Sequence, residues 1–492
     1  MTTRTPHSDS CHAFLDDALG TSDATELAQR LKSGKVSKAE VCEAAIQRAQ
    51  SVNTYLQAIA SNCFEAAITT SSLALKPSRT SNQKKQHSSG QALFSGIPTF
   101  IKDNTPVKGI PTSHGTDALR PKPENRHGPY TKQYLSQGFT LLGKSTLPEF
   151  GFNATTEPSH KPATRNPWNV HYSSGASSGG AAALVAAGVV PIAHGNDGGG
   201  SIRIPAACCG LIGLKPSRNR HVNSTQARAL PINLVSEGVL TRSVRDTANF
   251  HHEAQKYYHN SKLPPLPLID SPSKKRLRIG LIYDLPTDYD TDTETRQAVE
   301  NTARQLQEMK HHVEEIPFPA PLSFAEDFSL YWAMMAFMVK HTGKLAIGTS
   351  FKAKRLDNLT HGLAGYYQKN AHKTPQFLYR LRQRAQEFQA VFDRYDLLLS
   401  PVLAQTPATL GHISPNVPFD ELFERLTRYV GFTPMANVAG TPAISLPAGL
   451  SKHHLPIGIQ LCAGMGQEQT LLETAFELEQ AQLWKHLFET YP

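Results

Sequence analysis

Three consecutive glycines that end in a serine are the residues of this chain best suited to catalysis. The run Gly198–Ser201 follows His194–Asp197 and precedes an apolar segment that starts at Ile202. Glycine lets the backbone take positive φ angles and approach a ligand closely, and the N–H groups of such a run can point at one centre and bind an anion. A serine beside that nest predicts a nucleophile next to an oxyanion pocket, and therefore acyl transfer. A tight glycine turn with a solvated serine is the alternative.

A second cluster of small residues, Ser173–Gly180, lies upstream and leads into the alanine-rich segment Ala181–Ala187. This uncharged segment predicts a buried helix, and the serines and glycines before it suit a helix N-terminus. The free N–H groups of that terminus would then lie close to the serine pair Ser177 and Ser178. The alternative is that the serines only cap the helix, but capping requires one serine and leaves the glycines unexplained.

Lys102 is the candidate base. It ends the segment Pro98–Lys102, which predicts a short strand. A lysine in an apolar strand must reach water or lose its charge, and a desolvated lysine has a lowered pKa that suits a general base near neutral pH. The alternative is a lysine at a strand end that pairs with Asp103.

These three elements together resemble the amidase signature family. The matching stretches are Gly96–Asp103, Ser174–Ala187 and Gly195–Ala206, and further resemblance covers residues 23–53, 141–150, 211–217, 241–246, 432–449 and 456–460. The resemblance implies an α/β fold, in which a central mixed β-sheet is covered by helices on both faces. It implies a single amidase domain over residues 1–492, with an N-terminal helical segment at about 20–75 and a signature core at about 90–250. A variable substrate region would occupy about 280–390, and the C-terminal part of the core about 391–485.

The resemblance also implies a Ser–cisSer–Lys site. Ser201 would be the nucleophile that forms an acyl-enzyme, Lys102 the base, and Ser177, after a cis bond from Ala176, the proton relay. The implied oxyanion donors are the N–H groups of Gly198, Gly199, Gly200 and Ser201, and the supporting residues are Ser178, Asp197 and Arg203. The implied activity is hydrolysis of a linear or cyclic carboxylic amide, which is a small molecule, with no cofactor and no metal.

Two positions depart from the common family pattern. Gly198 stands where threonine is common, and Ala176 stands where glycine is common. Because the oxyanion donors are backbone groups, we expect the mechanism to survive with a looser loop. The stretch 193–198 is similar to the branch that contains hydrolases of the 6-aminohexanoate cyclic dimer, and it favours linear or cyclic aliphatic amides.

Other motifs leave alternatives open. Gly175–Gly179 fits the pattern GxSxG and would make Ser177 the nucleophile of an α/β-hydrolase esterase, although proline and asparagine stand where such an elbow needs a strand. Gly138–Ser145 fits a P-loop pattern, but its Phe-Thr-Leu-Leu interior favours a buried strand and a structural Lys144. A glutamine amidotransferase subunit that works on misacylated tRNA with partner chains would carry the same three reactive residues.

Composition limits the remaining classes of function. The 492 residues carry a formal net charge of +9, which we interpret as solubilising, so we expect no nucleic-acid partner. The six cysteines form no CxxC pair, and the histidine pairs lack the spacing of metal ligands. The first ten residues lack the apolar core of a signal peptide and no stretch is long enough for a membrane span, so we expect a cytoplasmic protein. Analogy with the family allows a homodimer.

The apolar segment Phe324–Tyr367 is a candidate for the acyl pocket. The dense apolar run 331–338 predicts a helix whose side chains either pack in the core or form an adaptable pocket wall of aromatic residues and of Met334, Met335 and Met338. His194 lies in an apolar stretch, and we interpret it as a packed, hydrogen-bonded histidine and not as a base.

Overall fold

The computed structural model describes residues 9–73, 92–287, 289–481 and 484–491. The first eight residues, on which the prediction of no signal peptide mostly rests, lie outside these ranges. Within the ranges, no helix combines the length and the apolar character that crossing a bilayer requires.

The elements alternate between strands and helices along much of the chain. The strands are β1 (Ile59–Asn62), β2 (Pro98–Lys102), β3 (Thr140–Ser145), β4 (Ile192–Asp197), β5 (Ile212–Lys215), β6 (Ser236–Thr241), β7 (Arg278–Leu281), β8 (His312–Glu315), β9 (Leu397–Pro401), β10 (Ala443–Leu450) and β11 (Pro456–Ala463). The helices are α1 (Ala24–Lys32), α2 (Lys38–Leu56), α3 (Phe64–Leu73), α4 (Pro129–Leu135), α5 (Gly179–Ala186), α6 (Arg203–Cys209), α7 (Thr225–Ala229), α8 (Val244–Ala254), α9 (Thr293–Glu308), α10 (Ser323–Ala346), α11 (Asn358–Asn370), α12 (Thr374–Ala390), α13 (Phe419–Tyr429), α14 (Pro434–Ala439), α15 (Glu468–Ala481) and α16 (Leu487–Thr490).

Eight of these strands form a mixed sheet in the order β4-β6-β5-β10-β11-β9-β7-β8. The pairs from β4 to β9 are antiparallel, whereas β7 pairs in parallel with both β9 and β8. Side chains alternate between the two faces of a strand, so Leu397 and Leu399 of β9 pack in one apolar cluster and Leu398 packs in another. Helices α8, α9 and α15 contribute to the first cluster, and α10, α12 and α14 contribute to the second. The predicted α/β architecture with a central mixed sheet is confirmed.

The strand that carries Lys102 belongs to a separate small sheet. It has the order β1-β3-β2, and β2 pairs in parallel with β3. Strand β2 also lies against β4, because Thr99 Oγ1 donates to Ile192 O at 2.9 Å and the Lys102 N–H donates to His194 Nδ1 at 3.2 Å. The small sheet therefore brings the end of β2 to the end of the β4 strand.

Local sequence explains several of the elements that surround the site. Helix α5 consists of small apolar residues, and every one of them is buried, as the alanine-rich segment predicts. The P-loop pattern is instead strand β3, whose Lys144 is buried and forms an ion pair with Asp103 at 3.0 Å. Asp103 therefore pairs with Lys144, which leaves Lys102 to other partners.

Candidate active site

Lys102 ends strand β2 with its side chain fully buried. Its Nζ lies 2.8 Å from Ser177 Oγ and 2.8 Å from Asn196 Oδ1, and 3.4 Å from Asn196 O. Burial lowers the pKa of Lys102 to about 7, against the opposing influence of the Glu237 and Asp197 carboxylates. A large fraction of the lysine is therefore neutral near pH 7, with a lone pair available next to the Ser177 hydroxyl.

Ser177 lies between this lysine and a close-packed turn. The Ala176–Ser177 peptide bond is cis, as the family resemblance implies. Gly151 has a φ of +73°, and a Cβ added there would stand 2.9 Å from Ser177 Oγ. The turn at Gly151 therefore requires glycine on two grounds, the backbone angle and the space that the Ser177 side chain occupies.

Ser178 occupies the N-cap position of α5, but its side chain makes no capping hydrogen bond. Its N–H donates to Ser201 O at 3.2 Å, and its Oγ lies 3.5 Å from Asn196 O. The serine pair thus contacts Lys102 and the glycine loop, and the alternative of simple capping does not describe it.

The carboxylate of Asp197 accepts hydrogen bonds from backbone N–H groups in and directly after the loop 197–201. Asp197 Oδ1 accepts from the Gly200 N–H at 2.7 Å and Oδ2 accepts from the Ile202 N–H at 3.1 Å. Arg203 binds both oxygens of Asp197 at 2.9 Å, and neither of the two side chains has solvent exposure. Burial opposes ionisation of Asp197, but the charge and hydrogen bonds of Arg203 hold the pKa of this carboxyl well below its usual range. Asp197 and Arg203 therefore stabilise the loop as an ion pair.

Arg203 extends this network to the C-terminal part of the chain. Its guanidinium also donates to Thr433 O, Gln460 Oε1 and Asn437 Oδ1 at distances of 2.9, 2.5 and 2.6 Å. Thr433 Oγ1 donates in turn to Gly199 O at 2.6 Å. Strands β4 and β11 and helices α6 and α14 thus fix the shape of the glycine loop together.

The N–H groups of the loop are not equally available. The Gly200 N–H is engaged by Asp197, whereas the N–H groups of Gly198, Gly199 and Ser201 have no hydrogen-bond partner among the residues that the structure describes. Gly198, Gly199 and Ser201 are also partly exposed, and all three line the same cavity as Ser177. A ligand oxygen can therefore be bound by donors from these three residues, and Gly200 instead supports the turn.

Sequence reasoning missed two asparagines. Asn196 Oδ1 accepts from Lys102 Nζ and from Asn104 Nδ2 at 3.3 Å, while its own Nδ2 donates to Asn104 Oδ1 at 3.1 Å. This reciprocal amide pair orients the carbonyl of Asn196 toward the lysine. The available signal was the position of Asn196 directly before Asp197, where many family members have serine.

A cavity of about 380 Å³ opens above Ser177 and Ser201. Its lining comes from the site itself, from the turn around Phe150, from the segment around α7, and from α10 and α13. Within the described residues, its only titratable side chain besides the hydroxyl groups is His114, and it includes no aspartate, glutamate, lysine or arginine. A volume of this size is typical of a pocket for a small molecule.

Helix α10, which forms the first part of the segment 324–367, lines the cavity above the two serines. Met335 and Met338 line the cavity, whereas Met334 is buried in the neighbouring apolar cluster. Of the two roles that the sequence left open, Met335 and Met338 form part of the cavity wall and Met334 packs in the core.

His194 is a packed residue, as its apolar surroundings predict. Its ring is fully buried, Nε2 lies 3.0 Å from Glu237 Oε2, and Nδ1 accepts from the Lys102 N–H.

The interpretation of Ser177 as the serine of a nucleophile elbow finds no support, since no described strand leads into Ser177, and its hydroxyl contacts a lysine. Across the described ranges, histidine, cysteine and acidic side chains form no group of three that could hold a metal ion.

The family model described as Amidase matches residues 40–472. The chain therefore belongs to the amidase family and is an amide hydrolase. It is similar to AmiC of Mycobacterium leprae (strain TN), which is named as an inferred amidase, with 45% identity over 477 residues that cover 97% of this chain and 98% of that protein. It is also similar to the 6-aminohexanoate-cyclic-dimer hydrolase of Pseudomonas sp. (strain NK87), with 33% identity that covers 94% of this chain and 95% of that protein.

Solved structures of amide-hydrolysing enzymes share the fold of this chain. A structure of 6-aminohexanoate cyclic dimer hydrolase superimposes with a TM-score of 0.80 at 28% identity, covering 96% of this chain and 98% of that one. A structure of a bacterial aryl acylamidase of the amidase signature family superimposes with a TM-score of 0.79 at 26% identity, covering 94% of this chain and 96% of that one. Both neighbours thus match this chain over nearly its whole length.

Proposed function

We propose that this protein hydrolyses amides through an acyl-enzyme on Ser201, with Ser177 as proton relay and Lys102 as base. The observation that carries the proposal is the 2.8 Å contact between a fully buried lysine and Ser177, in the cavity that Ser201 lines. A buried amine of lowered pKa is the kind of group that general base catalysis near neutral pH requires.

Asn196 orients the neutral form of the lysine, which burial favours. A neutral amine has two N–H donors and one lone pair, and Lys102 Nζ has three neighbouring oxygens. The two carbonyl oxygens of Asn196 accept the two N–H groups, so the lone pair points to the Ser177 hydroxyl. The proton of Ser177 can then move to the lysine.

The proposed acylation uses these groups in sequence. Lys102 accepts the proton of Ser177 while Ser177 accepts the proton of Ser201, and the Ser201 oxygen forms a bond to the amide carbon. The oxygen of the tetrahedral intermediate is bound by N–H groups of Gly198, Gly199 and Ser201. The C–N bond then breaks, and the proton on Lys102 returns through Ser177 to the leaving nitrogen.

Deacylation uses the same groups in the same order. Water enters after the amine leaves, and its oxygen forms a bond to the acyl carbon while it gives a proton to Ser177, which passes its own proton to Lys102. The new tetrahedral intermediate collapses, the bond to Ser201 breaks, and the Ser201 oxygen recovers the proton that returns from Lys102 through Ser177. The products are a carboxylic acid and an amine or ammonia, and the enzyme returns to its starting state.

The experiment that tests this proposal is covalent labelling with a fluorophosphonate, followed by mass spectrometry of the adduct. We expect one adduct, on Ser201, whose formation is strongly slowed in Lys102→Ala and Ser177→Ala. Circular dichroism establishes that each variant is folded. An adduct on Ser177, or no adduct on a folded native chain, would contradict the proposal.

Substrate screening completes the test of the reaction. The relatives named as hydrolases of 6-aminohexanoate cyclic dimer make that cyclic amide a rational member of the panel. We expect hydrolysis of amides by the native protein and none by Ser201→Ala. The amidotransferase alternative requires glutamine, whose ammonium and carboxylate groups find no charged partner in the described cavity lining.

A further inference from the structure

The cavity above the reactive serines runs along one face of α10. Phe328, Trp332, Met335, Val339, Thr342 and Ala346 line it. These residues recur every three to four positions, so they form one stripe on the helix. At about 1.5 Å per residue the stripe is roughly 27 Å long, which is far longer than an amide group.

The two ends of the stripe adjoin different parts of the site. At one end Phe328 adjoins the glycine loop, because a Cβ on Gly199 would stand 3.2 Å from its ring. At the other end, Val339 and Ile347 pack in an apolar cluster with Phe351, whose ring centre lies 6.4 Å from that of Phe150. The residue after Phe150 is Gly151, which adjoins Ser177.

We refer to the parts of the cavity at the two ends of this stripe as its two arms. The first arm lies at the Phe328 end, where Leu234 and Val235 add apolar surface. The second arm lies at the Phe150 end, where Val339 and Ile347 add apolar surface. An amide held at the centre therefore has one arm for its acyl group and one for its amine group.

Among the described residues, the lining has no ionised group to match a charged substrate. The polar side chains in it are amides, hydroxyls and the His114 ring. Burial lowers the pKa of His114 to about 4, so this histidine is neutral near pH 7. A carboxylate or ammonium in either arm would lose its hydration and gain no partner of opposite charge.

On the basis of the proposed function, we propose that the natural substrates are uncharged secondary amides with an apolar group on each side of the amide bond. A primary amide fills one arm and leaves the apolar surface of the other arm in contact with water. A charged acyl or amine chain must shed its hydration shell to enter. The two arms thus select both the substitution of the nitrogen and the charge of the substrate.

The test compares four amides built on one acyl chain. They are N-pentylhexanamide, the same amide with a terminal carboxylate on its acyl chain, the same amide with a terminal ammonium on its amine chain, and hexanamide. We expect kcat/KM to be roughly a hundredfold lower or more for each charged amide. We expect it to be roughly tenfold lower or more for hexanamide, because one arm stays empty.

A pair of variants on α10 tests whether the cavity is responsible. Val339→Glu places a carboxylate in the second arm, and Leu345→Glu places one on the same helix at a side chain that is 92% exposed. We expect Val339→Glu to lower kcat/KM for N-pentylhexanamide by roughly tenfold or more. Leu345→Glu should change kcat/KM by no more than about twofold.

The fluorophosphonate adduct separates the possible failures. If Ser201 is labelled and amides are hydrolysed, but charged or primary amides react as fast as N-pentylhexanamide, the selection is overturned while the proposed function stands. The same conclusion follows if Val339→Glu and Leu345→Glu have equal effects. If a folded protein shows neither an adduct nor hydrolysis of any amide, the proposed function fails and this inference fails with it.

Discussion

At the scale of single residues, the environment of Lys102 decides whether it can act as a base. Its side chain ends in a buried pocket where burial lowers the pKa to about 7, and Asn196 supplies two carbonyl acceptors. The protonated lysine has no lone pair, so the proposed relay operates through the neutral form, whose fraction grows as the pH rises through this pKa. The pH dependence of the reaction therefore reports on one side chain.

The first prediction concerns the native enzyme. We expect kcat/KM for amide hydrolysis to rise with pH along a limb with its midpoint at about 7 and then to level off. The limb has this sign because deprotonation of Lys102 creates the active form, and kcat/KM reports groups of the free enzyme. Steady-state kinetics across this range measure it, and an equal limb in the residual activity of Lys102→Ala would contradict the assignment.

The second prediction concerns Asn196→Asp. A carboxylate beside Lys102 stabilises the ammonium form, so we expect the limb to move to higher pH by about one unit or more. The control is Asn301→Asp, the same change at an exposed position on α9. If the two variants show the same pH profile, the carbonyl of Asn196 does not tune the lysine.

At the scale of elements, the glycine loop owes its shape to groups outside it. Asp197 at the end of β4 binds N–H groups of the loop, and Arg203 at the start of α6 binds that carboxylate together with atoms of α14 and β11. A buried ion pair with all its hydrogen bonds made is costly to break, because the remaining charge stays buried without a partner.

The third prediction is the cost of breaking this pair. We expect Arg203→Ala to lower the free energy of unfolding by about 3–5 kcal/mol, because Asp197 remains buried. Arg296→Ala is the matched control, since Arg296 and its partner Asp284 are 37% and 35% exposed. We expect the control to cost less than about 1 kcal/mol. Urea denaturation measures both losses of stability. Equal losses would contradict the stabilising role of the buried Asp197–Arg203 ion pair.

The fourth prediction separates two neighbouring glycines. Gly200 has a φ of +132°, and a Cβ there would lie 2.6 Å from Ile204 Cδ1, whereas a Cβ on Gly198 would meet Val235 Cγ2 at an ordinary 3.5 Å. We expect Gly200→Ala to slow fluorophosphonate labelling of Ser201 by roughly tenfold or more, through strain in the loop. Gly198→Ala should label at nearly the native rate. The space at Gly198 shows that the position can take a side chain, as the common family threonine implies.

At the scale of the whole molecule, the site joins segments that are far apart in the chain. The reactive side chains come from residues 102–201, whereas the cavity wall opposite them comes largely from α10 and α13. Under the two proposals, the part of the sequence that selects the substrate differs from the part that carries out the chemistry.

The fifth prediction uses the three methionines of α10. Met335→Ala and Met338→Ala enlarge the cavity, so we expect each to shift the preferred acyl or amine chain toward longer groups. Met334→Ala removes a buried side chain instead, and we expect it to cost about 2–5 kcal/mol of stability without changing that preference. A panel of N-alkyl amides and urea denaturation measure the two effects, and a shift in Met334→Ala equal to the others would contradict the placement.

Prediction from sequence succeeded where a short run of residues favours one structure by its own hydrophobic pattern and length. The strand that ends at Lys102, the all-buried α5 and the packed His194 follow from hydrophobic pattern and length. The division into one domain with four segments, and the roles of Lys102, Ser177 and Ser201, stay predictions that the proposed experiments address.

Prediction failed or stopped where the partner of a group lies far away in the chain. The four N–H groups of Gly198–Ser201 are alike in sequence, yet only that of Gly200 is bound by Asp197. Asp103 is the neighbour of Lys102 in sequence, yet it pairs with Lys144, and Lys102 contacts Asn196. Hydrogen bonds depend on distance and angle, which neighbouring positions in sequence do not specify.

The sequence by itself therefore determined the family, the types of the candidate reactive residues, and the strand, helix and glycine loop that carry them. Each of these features depends on a local pattern of residues. Only the tertiary structure decided which N–H groups are free, which acceptor holds Lys102, and which face of α10 forms the wall of the cavity. These features arise from contacts between distant segments, whose geometry exists only after the chain has packed.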